Sequence, residues 1–142
     1  MLRLFDTHAH YNDTRFDEIG GAEKVISEEL AAGVVGFINC GTNPASSLES
    51  IALAEKYESV YAAVGLHPED APDYADRIDE TLCEIEALLS HKKVVALGEI
   101  GLDYHYESST RAAQIKLFET MLQLAADNNL PVSFHIRIRF VL

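Results

Sequence analysis

Four of the six histidines in this chain, His8, His10, His67 and His135, fall at or just after the ends of short apolar runs. One carboxylate, Glu99, stands between Gly98 and Gly101 at the end of another such run, Val94-Val95-Ala96-Leu97. Imidazoles and carboxylates bind borderline divalent cations and move protons near neutral pH. In the pair His8 and His10, an extended backbone puts both rings on one side, about 7 Å apart at about 3.3 Å per residue, and strand curvature can aim both at one ion. Each residue also has a plain reading: a strand-end histidine is commonly a satisfied polar group, and Glu99 can pair with a lysine or arginine or face water. An ionised carboxylate closing an apolar strand nonetheless needs a cation or donors. Four imidazoles at matching heights therefore point to metal binding, whereas His91 and His105 fall outside the predicted strand ends.

For these groups to meet, the runs that carry them must be neighbouring strands with their carboxyl ends on one rim. Leu2–His10 alternates, with Leu2, Leu4, Asp6, His8 and His10 on one side, and predicts a strand to about Asp6 whose carboxyl end is His8-Ala9-His10. A helix follows from about Ala22 to Ala32, closed by Gly33 in a left-handed cap. Val34–Asn39 is the second strand; Thr42-Asn43-Pro44 then opens a helix to about Tyr57, with a capping side chain and a first-turn proline. Val60–Gly65 is a third strand, ending in Leu66-His67-Pro68, and a loop with Pro72 leads to a helix from about Asp79 to His91. Val94–Tyr104 is the fourth strand; period-two alternation puts Val95, Leu97, Glu99, Gly101 and Asp103 on one face. Ser108 or Ser109 caps a long helix to about Asn128, with apolar positions Ile115, Phe118, Leu122 and Ala125, and Asn128-Asn129 stops it. Pro131–His135 begins the fifth strand, with Ser133, His135 and Arg137 on one face.

Strict alternation of apolar strands and helices is the mark of an α/β fold with a parallel sheet. An open doubly wound sheet and a closed eight-stranded barrel both fit, and both gather functional residues at the carboxyl ends of strands. The 142 residues amount to one domain's worth of chain. A net charge of −12 argues against a broad basic face for duplex nucleic acid, but leaves room for phosphate chemistry run through bound cations. Cys40 and Cys83 read as buried free thiols. No segment is apolar for long enough to span a bilayer, and no signal-peptide layout opens the chain, so a cytoplasmic protein without membrane contact is expected.

The stretches Phe5-Asp6-Thr7-His8-Ala9-His10, Gly65-Leu66-His67-Pro68, Gly98-Glu99-Ile100-Gly101-Leu102-Asp103-Tyr104 and Phe134-His135-Ile136-Arg137 resemble, in this order, the motifs of the TatD family of metal-dependent deoxyribonucleases. The similarity runs from about Met1 to Arg137. It implies a TIM-type (β/α)8 barrel lineage, here truncated to about five strands and four helices, and divalent-metal-dependent hydrolysis of DNA phosphodiesters, as in an exonuclease. Two divalent ions (Mg, Mn or Zn) are implied. His8 and His10 would bind one, and Glu99 would bridge to a second that His135 also binds. Glu99 and His67 would be the catalytic pair, and His67 and Arg137 would lie around the substrate phosphate. DNA ends or short oligonucleotides are the implied partners. Asp103 and Tyr104 match the motif and would organise the pocket floor.

The departures matter too. Such a barrel needs eight strands and about 250 residues, and the family pattern expects a sixth-strand histidine and an eighth-strand aspartate that have no counterpart here. Residues 138–142, just past the fifth-strand motif, depart from the family pattern. A single incomplete barrel domain over 1–142 is therefore expected, weak or inactive alone and self-associating through exposed edges. An amidohydrolase-type hydrolase and a non-catalytic barrel fragment with a residual metal site are the alternative readings.

Overall fold

The computed structural model describes residues 3–105 and 110–137. Five strands, β1 (Leu4–Ala9), β2 (Val34–Cys40), β3 (Val60–Val64), β4 (Val94–Asp103) and β5 (Val132–Arg137), form one parallel sheet in the order β1-β2-β3-β4-β5. Four α-helices connect them: α1 (Gly21–Ala32), α2 (Pro44–Glu55), α3 (Ile78–Leu88) and α4 (Arg111–Asp127). Every crossover steps the same way, so right-handed connections place all the helices on one face. A doubly wound sheet would reverse its order. The unreversed order is that of a barrel wall.

Local signals act where expected. Gly33 closes α1 at φ 111°, its N–H donating to the carbonyls of Glu29 and Leu30. Asn43 caps α2, and Ser46 completes a reciprocal capping box after Pro44. Asn128 and Asn129 end α4, the latter at φ 52°. The Pro72 segment is a 3-10 helix, Ala71–Arg77, rather than an irregular loop, and α2 and α3 stop at Glu55 and Leu88, short of Tyr57 and His91. The expected caps Ser108 and Ser109 lie outside the described residues, as does the 138–142 tail; Thr110 precedes the first turn of α4.

The sheet has two different faces. Phe37, Val60, Val64, Leu97 and Ile100 pack outward against Ile26, Ile51, Ile85, Leu117 and Met121 of the helices. Inward lies a smaller cluster of Cys40, Ala63 and Ala96, with Ile38 against it. Three expectations are corrected here. Leu97 and Ile100 both join the outer core while Ala96 faces inward, so strict alternation in β4 fails; the register against β5 slips between Leu97 and Ile100. Leu97 therefore does not share a face with Glu99. In α4 the buried stripe is Gln114, Leu117, Met121 and Ala125; Ile115 is 39% exposed, because hydrogen bonds to the backbone of Asp103 draw the polar Gln114 inward instead. Cys83 is exposed on α3, and only Cys40 is buried.

Among the described residues, β1 pairs only with β2 and β5 only with β4. Leu4 and Phe5 on β1, and Phe134 and Ile136 on β5, are each about half exposed. No described helix is long and apolar enough to cross a membrane.

Candidate metal centre

Parallel strands put their carboxyl ends on one rim, and all four sequence-predicted histidines arrive there. His8 lies near the carboxyl end of β1 and His10 just past it. His8 Nε2 and His10 Nε2 lie 3.2 and 3.1 Å from Glu99 Oε2 and 3.0 Å from each other. On the other side of the same carboxylate, His135 Nδ1 lies 3.0 Å from Glu99 Oε1. The His67 ring stands edge-on to His135 with centroids 4.2 Å apart. Two groups of candidate ligands result, His8–His10–Glu99 and His67–Glu99–His135, in each of which one ligand atom per residue lies within 4.8 Å of the others. Glu99 belongs to both.

The ring nitrogens that do not face the centre are also held. His10 Nδ1 is 2.9 Å from the Cys40 carbonyl, which can only accept, so a neutral ring has Nε2 left as the ligand atom for a cation, and only the protonated ring donates Nε2–H to Glu99. His8 Nδ1 meets Ser133 Oγ at 3.1 Å. His67 Nδ1 accepts the Glu69 N–H at 3.1 Å, so its neutral ring carries the proton on Nε2. His67 is thus prepared as a donor more than as a ligand.

Arg137 is brought to the rim, where its guanidinium donates to Asp103 Oδ2 at 2.6 Å and Glu69 Oε1 at 2.9 Å. Asp103, 3% exposed, also accepts from His135 Nε2 at 2.8 Å. The cleft over these groups has a volume of about 460 Å³ and is lined by His10, Asn12, Arg15, Thr42, His67, Glu69, Glu99 and His135, among others.

The backbone explains how Glu99 reaches inward. Its N–H donates to the Gly41 carbonyl at 2.9 Å, so β4 leans across the end of β3 to touch the end of β2. A Cβ on Gly65 would stand 2.6 Å from the Gly98 carbonyl carbon. Only glycine permits that crossing. Sequence reading missed several supports of this kind. Gln114 donates to the Asp103 carbonyl at 2.9 Å and accepts its N–H at 2.8 Å, fixing the end of β4. Asn39, fully buried, accepts the Tyr11 N–H at 2.6 Å and donates to Asn12 and Ser50, fixing the exit of β1 behind His10. A polar residue inside an apolar helical or strand pattern was the available signal in both cases.

The model of the family described as TatD related DNase matches residues 5–139. The chain belongs to the TatD-related DNase family. A Bacillus subtilis (strain 168) relative, described as the uncharacterised metal-dependent hydrolase YabD, is 39% identical over 94% of this chain and 51% of its own length. The 3'-5' ssDNA/RNA exonuclease TatD of Cronobacter sakazakii is 35% identical over 94% of this chain and 49% of its own. The crystal structure of the TatD homologue YjjV from Escherichia coli K12 superposes with a TM-score of 0.82 at 34% identity, covering 95% of this chain and 51% of that one. The chain spans about half the length of the curated relatives it matches. These likenesses settle the choice left open by alternation alone in favour of the barrel lineage.

In this TatD-family chain the donor set fits a divalent cation. Edges of 3.0–3.2 Å among the first three donors are close to the roughly 3.3 Å expected for tetrahedral bonds of about 2.0–2.1 Å. Burial pushes the Glu99 carboxyl up, but hydrogen bonds from His10 and His8 outweigh it and hold the group well below the usual carboxylate range. The hydrogen bond to Glu99 in turn raises His8 against its burial. Burial and the neighbouring His135 lower His67, which favours its neutral form.

Asp103 gives a pH prediction. Burial opposes its ionisation, but the bonds from Arg137, the His105 N–H and His135 lower it to about 2 from 3.8. A depressed carboxylate adds stability above its unfolded value and loses it as pH falls through its folded value. The stability gap between wild type and Asp103→Asn, measured by urea unfolding with chelator present, is expected at about 2 kcal/mol at pH 6. It should close between about pH 4 and pH 2. A gap that is constant with pH would contradict the assignment.

Proposed function

We propose that the chain carries the metal-binding half of a phosphodiester hydrolase site acting on single-stranded DNA ends or short oligonucleotides, with two divalent cations (Mg, Mn or Zn). The observation that supports this most directly is the sharing of one carboxylate between two donor groups, an oxygen to each. His8, His10 and Glu99 Oε2 would hold one cation, and Glu99 Oε1 and His135 the other. Bound cations would polarise the phosphate and acidify a water. His67 Nε2–H would donate to a phosphate oxygen, and the fixed Nδ1 partner keeps that proton in place. Arg137 would grip the phosphate by its fork. Asp103 holds the guanidinium from below, so the half-exposed Glu69 is the partner a phosphate would displace. The excess of acidic side chains repels a polyanion, which makes local cations necessary for binding as well as chemistry.

The test is release of nucleotides from end-labelled single-stranded DNA with Mn2+ or Mg2+, beside calorimetric metal titration. Metal uptake with slow, chelator-sensitive release supports the reading; hydrolysis of amides or lactones but not phosphodiesters would replace it with the amidohydrolase alternative. Metal uptake with no turnover would leave a residual site only.

We further propose that the chain forms one barrel-type domain, resides in the cytoplasm and self-associates through β1 and β5. Half-exposed apolar side chains on strands that, among the described residues, pair on one side only invite pairing with another chain. Sedimentation velocity is expected to show species larger than 15.7 kDa whose share rises with concentration; a single monomeric boundary at all concentrations would count against it.

A further inference from the structure

We propose that Ser133 is a positioning residue for His8, holding the ring so that Nε2 meets the cation that Glu99 and His10 share; this rests on the metal centre of the proposed function. The two histidines of the pair are oriented differently. His10 is fixed by a main-chain carbonyl, that of Cys40, and His8 by a side chain, the hydroxyl of Ser133 at 3.1 Å. A ring nitrogen that donates to a fixed oxygen leaves the other nitrogen as the ligand.

Ser133 is placed for this task by its neighbours. It lies on β5, on the same face as His135, where the sheet's interior otherwise carries small apolar groups such as Ala63 and Ala96. A Cβ on Gly98 would stand 2.7 Å from Ser133 Cβ, so glycine there makes the room. The Cys40 thiol lies 3.9 Å from the same hydroxyl and offers only a weak donor. His8 Nδ1 is therefore the strong partner of Ser133 Oγ. The contact joins β1 to β5 across the interior, between residues 125 apart in the chain.

Without the hydroxyl, the His8 ring can rotate or take the other tautomer, which turns an N–H instead of a lone pair towards the ion. Ser133→Ala keeps Cβ, and with it the packing on Gly98. Calorimetric titration with Zn2+ is expected to show affinity reduced about 10-fold in Ser133→Ala, at the lower end of the roughly 10–100-fold cost of an outer-shell change. Ser133→Thr, which keeps the hydroxyl, should return within about threefold of wild type. In the zinc-loaded wild type, 15N spectra should show His8 coordinating through Nε2 with Nδ1 protonated. Alanine and wild type binding Zn2+ alike, alanine and threonine weakened alike, or coordination through Nδ1 would each overturn the proposal. Absence of Zn2+ uptake by the wild type would instead overturn the metal centre itself.

Discussion

Glu99→Gln should lose divalent-cation binding at both donor groups while the chain remains folded. The glutamate stands between two sets of imidazoles, Oε1 towards His135 and Oε2 towards His8 and His10. An amide has one accepting oxygen and one donating NH2, so glutamine can match one side and must present hydrogens to the other. The negative charge that offsets a cation is gone as well. Metal affinity measured with Mn2+ should fall by more than the roughly 10–100-fold that outer-shell changes cost, and any release of nucleotides should drop to background. Metal-free protein loses the charge that His8 and His10 compensate, so its melting temperature should fall modestly rather than collapse. Retention of Mn2+ affinity within about 10-fold of wild type would remove Glu99 from the centre of the site.

Gly101→Ala should be the most damaging single methyl in the chain. Gly101 sits at φ 152°, a backbone conformation that side chains rarely adopt, and it pairs with His135 in the ladder between β4 and β5. A Cβ there would overlap the carbonyl oxygen of His135. Neither atom can move without parting the two strands, and those strands carry Glu99 and His135. A loss of about 4 kcal/mol or more is expected, against a typical total of about 5–15 kcal/mol. Circular dichroism should show no cooperative thermal transition. Gly21→Ala separates backbone strain from collision: Gly21 has φ 84°, but a Cβ on it would meet nothing within 4 Å. It should cost only about 1–2 kcal/mol. A Gly101→Ala protein melting within about 4 °C of wild type, near 1 kcal/mol at this size, would refute the close approach.

The strands, helices and rim histidines were legible because each rested on a local rule. Gly33 and Asn43 mark helix ends by their own backbone and capping chemistry, and apolar runs with strict alternation define a parallel sheet. The His-x-His pair, weak as a motif by itself, pointed to a metal site only beside Glu99 and the other strand-end histidines. What stayed hidden depended on contacts between distant segments. Alternation put Leu97 and Glu99 on one face, but β4 leans over Gly65 to reach Gly41, and the register slips there. Helical periodicity favoured Ile115, yet Gln114 is buried because its amide pairs with the backbone of Asp103. In the sequence Ser133 is a strand residue on the face of His135, and only the fold brings it to His8, 125 residues away. The motif marks Asp103 only as a pocket-floor residue; its bonds to both His135 and Arg137 need three dimensions.

The sheet grows edge by edge from β1 to β5, yet the two outermost strands are tied to each other through His8 on β1 and Ser133 on β5, and through Glu99 of β4, which meets both His8 and His135. An ion seated there would act as a clasp on the whole wall. By mass action, a ligand at about 100 times its dissociation constant adds about 2.7 kcal/mol to the folded state. The thermal midpoint of this chain should therefore report the trace-metal history of a preparation, rising with supplementation and sinking on dialysis against chelator.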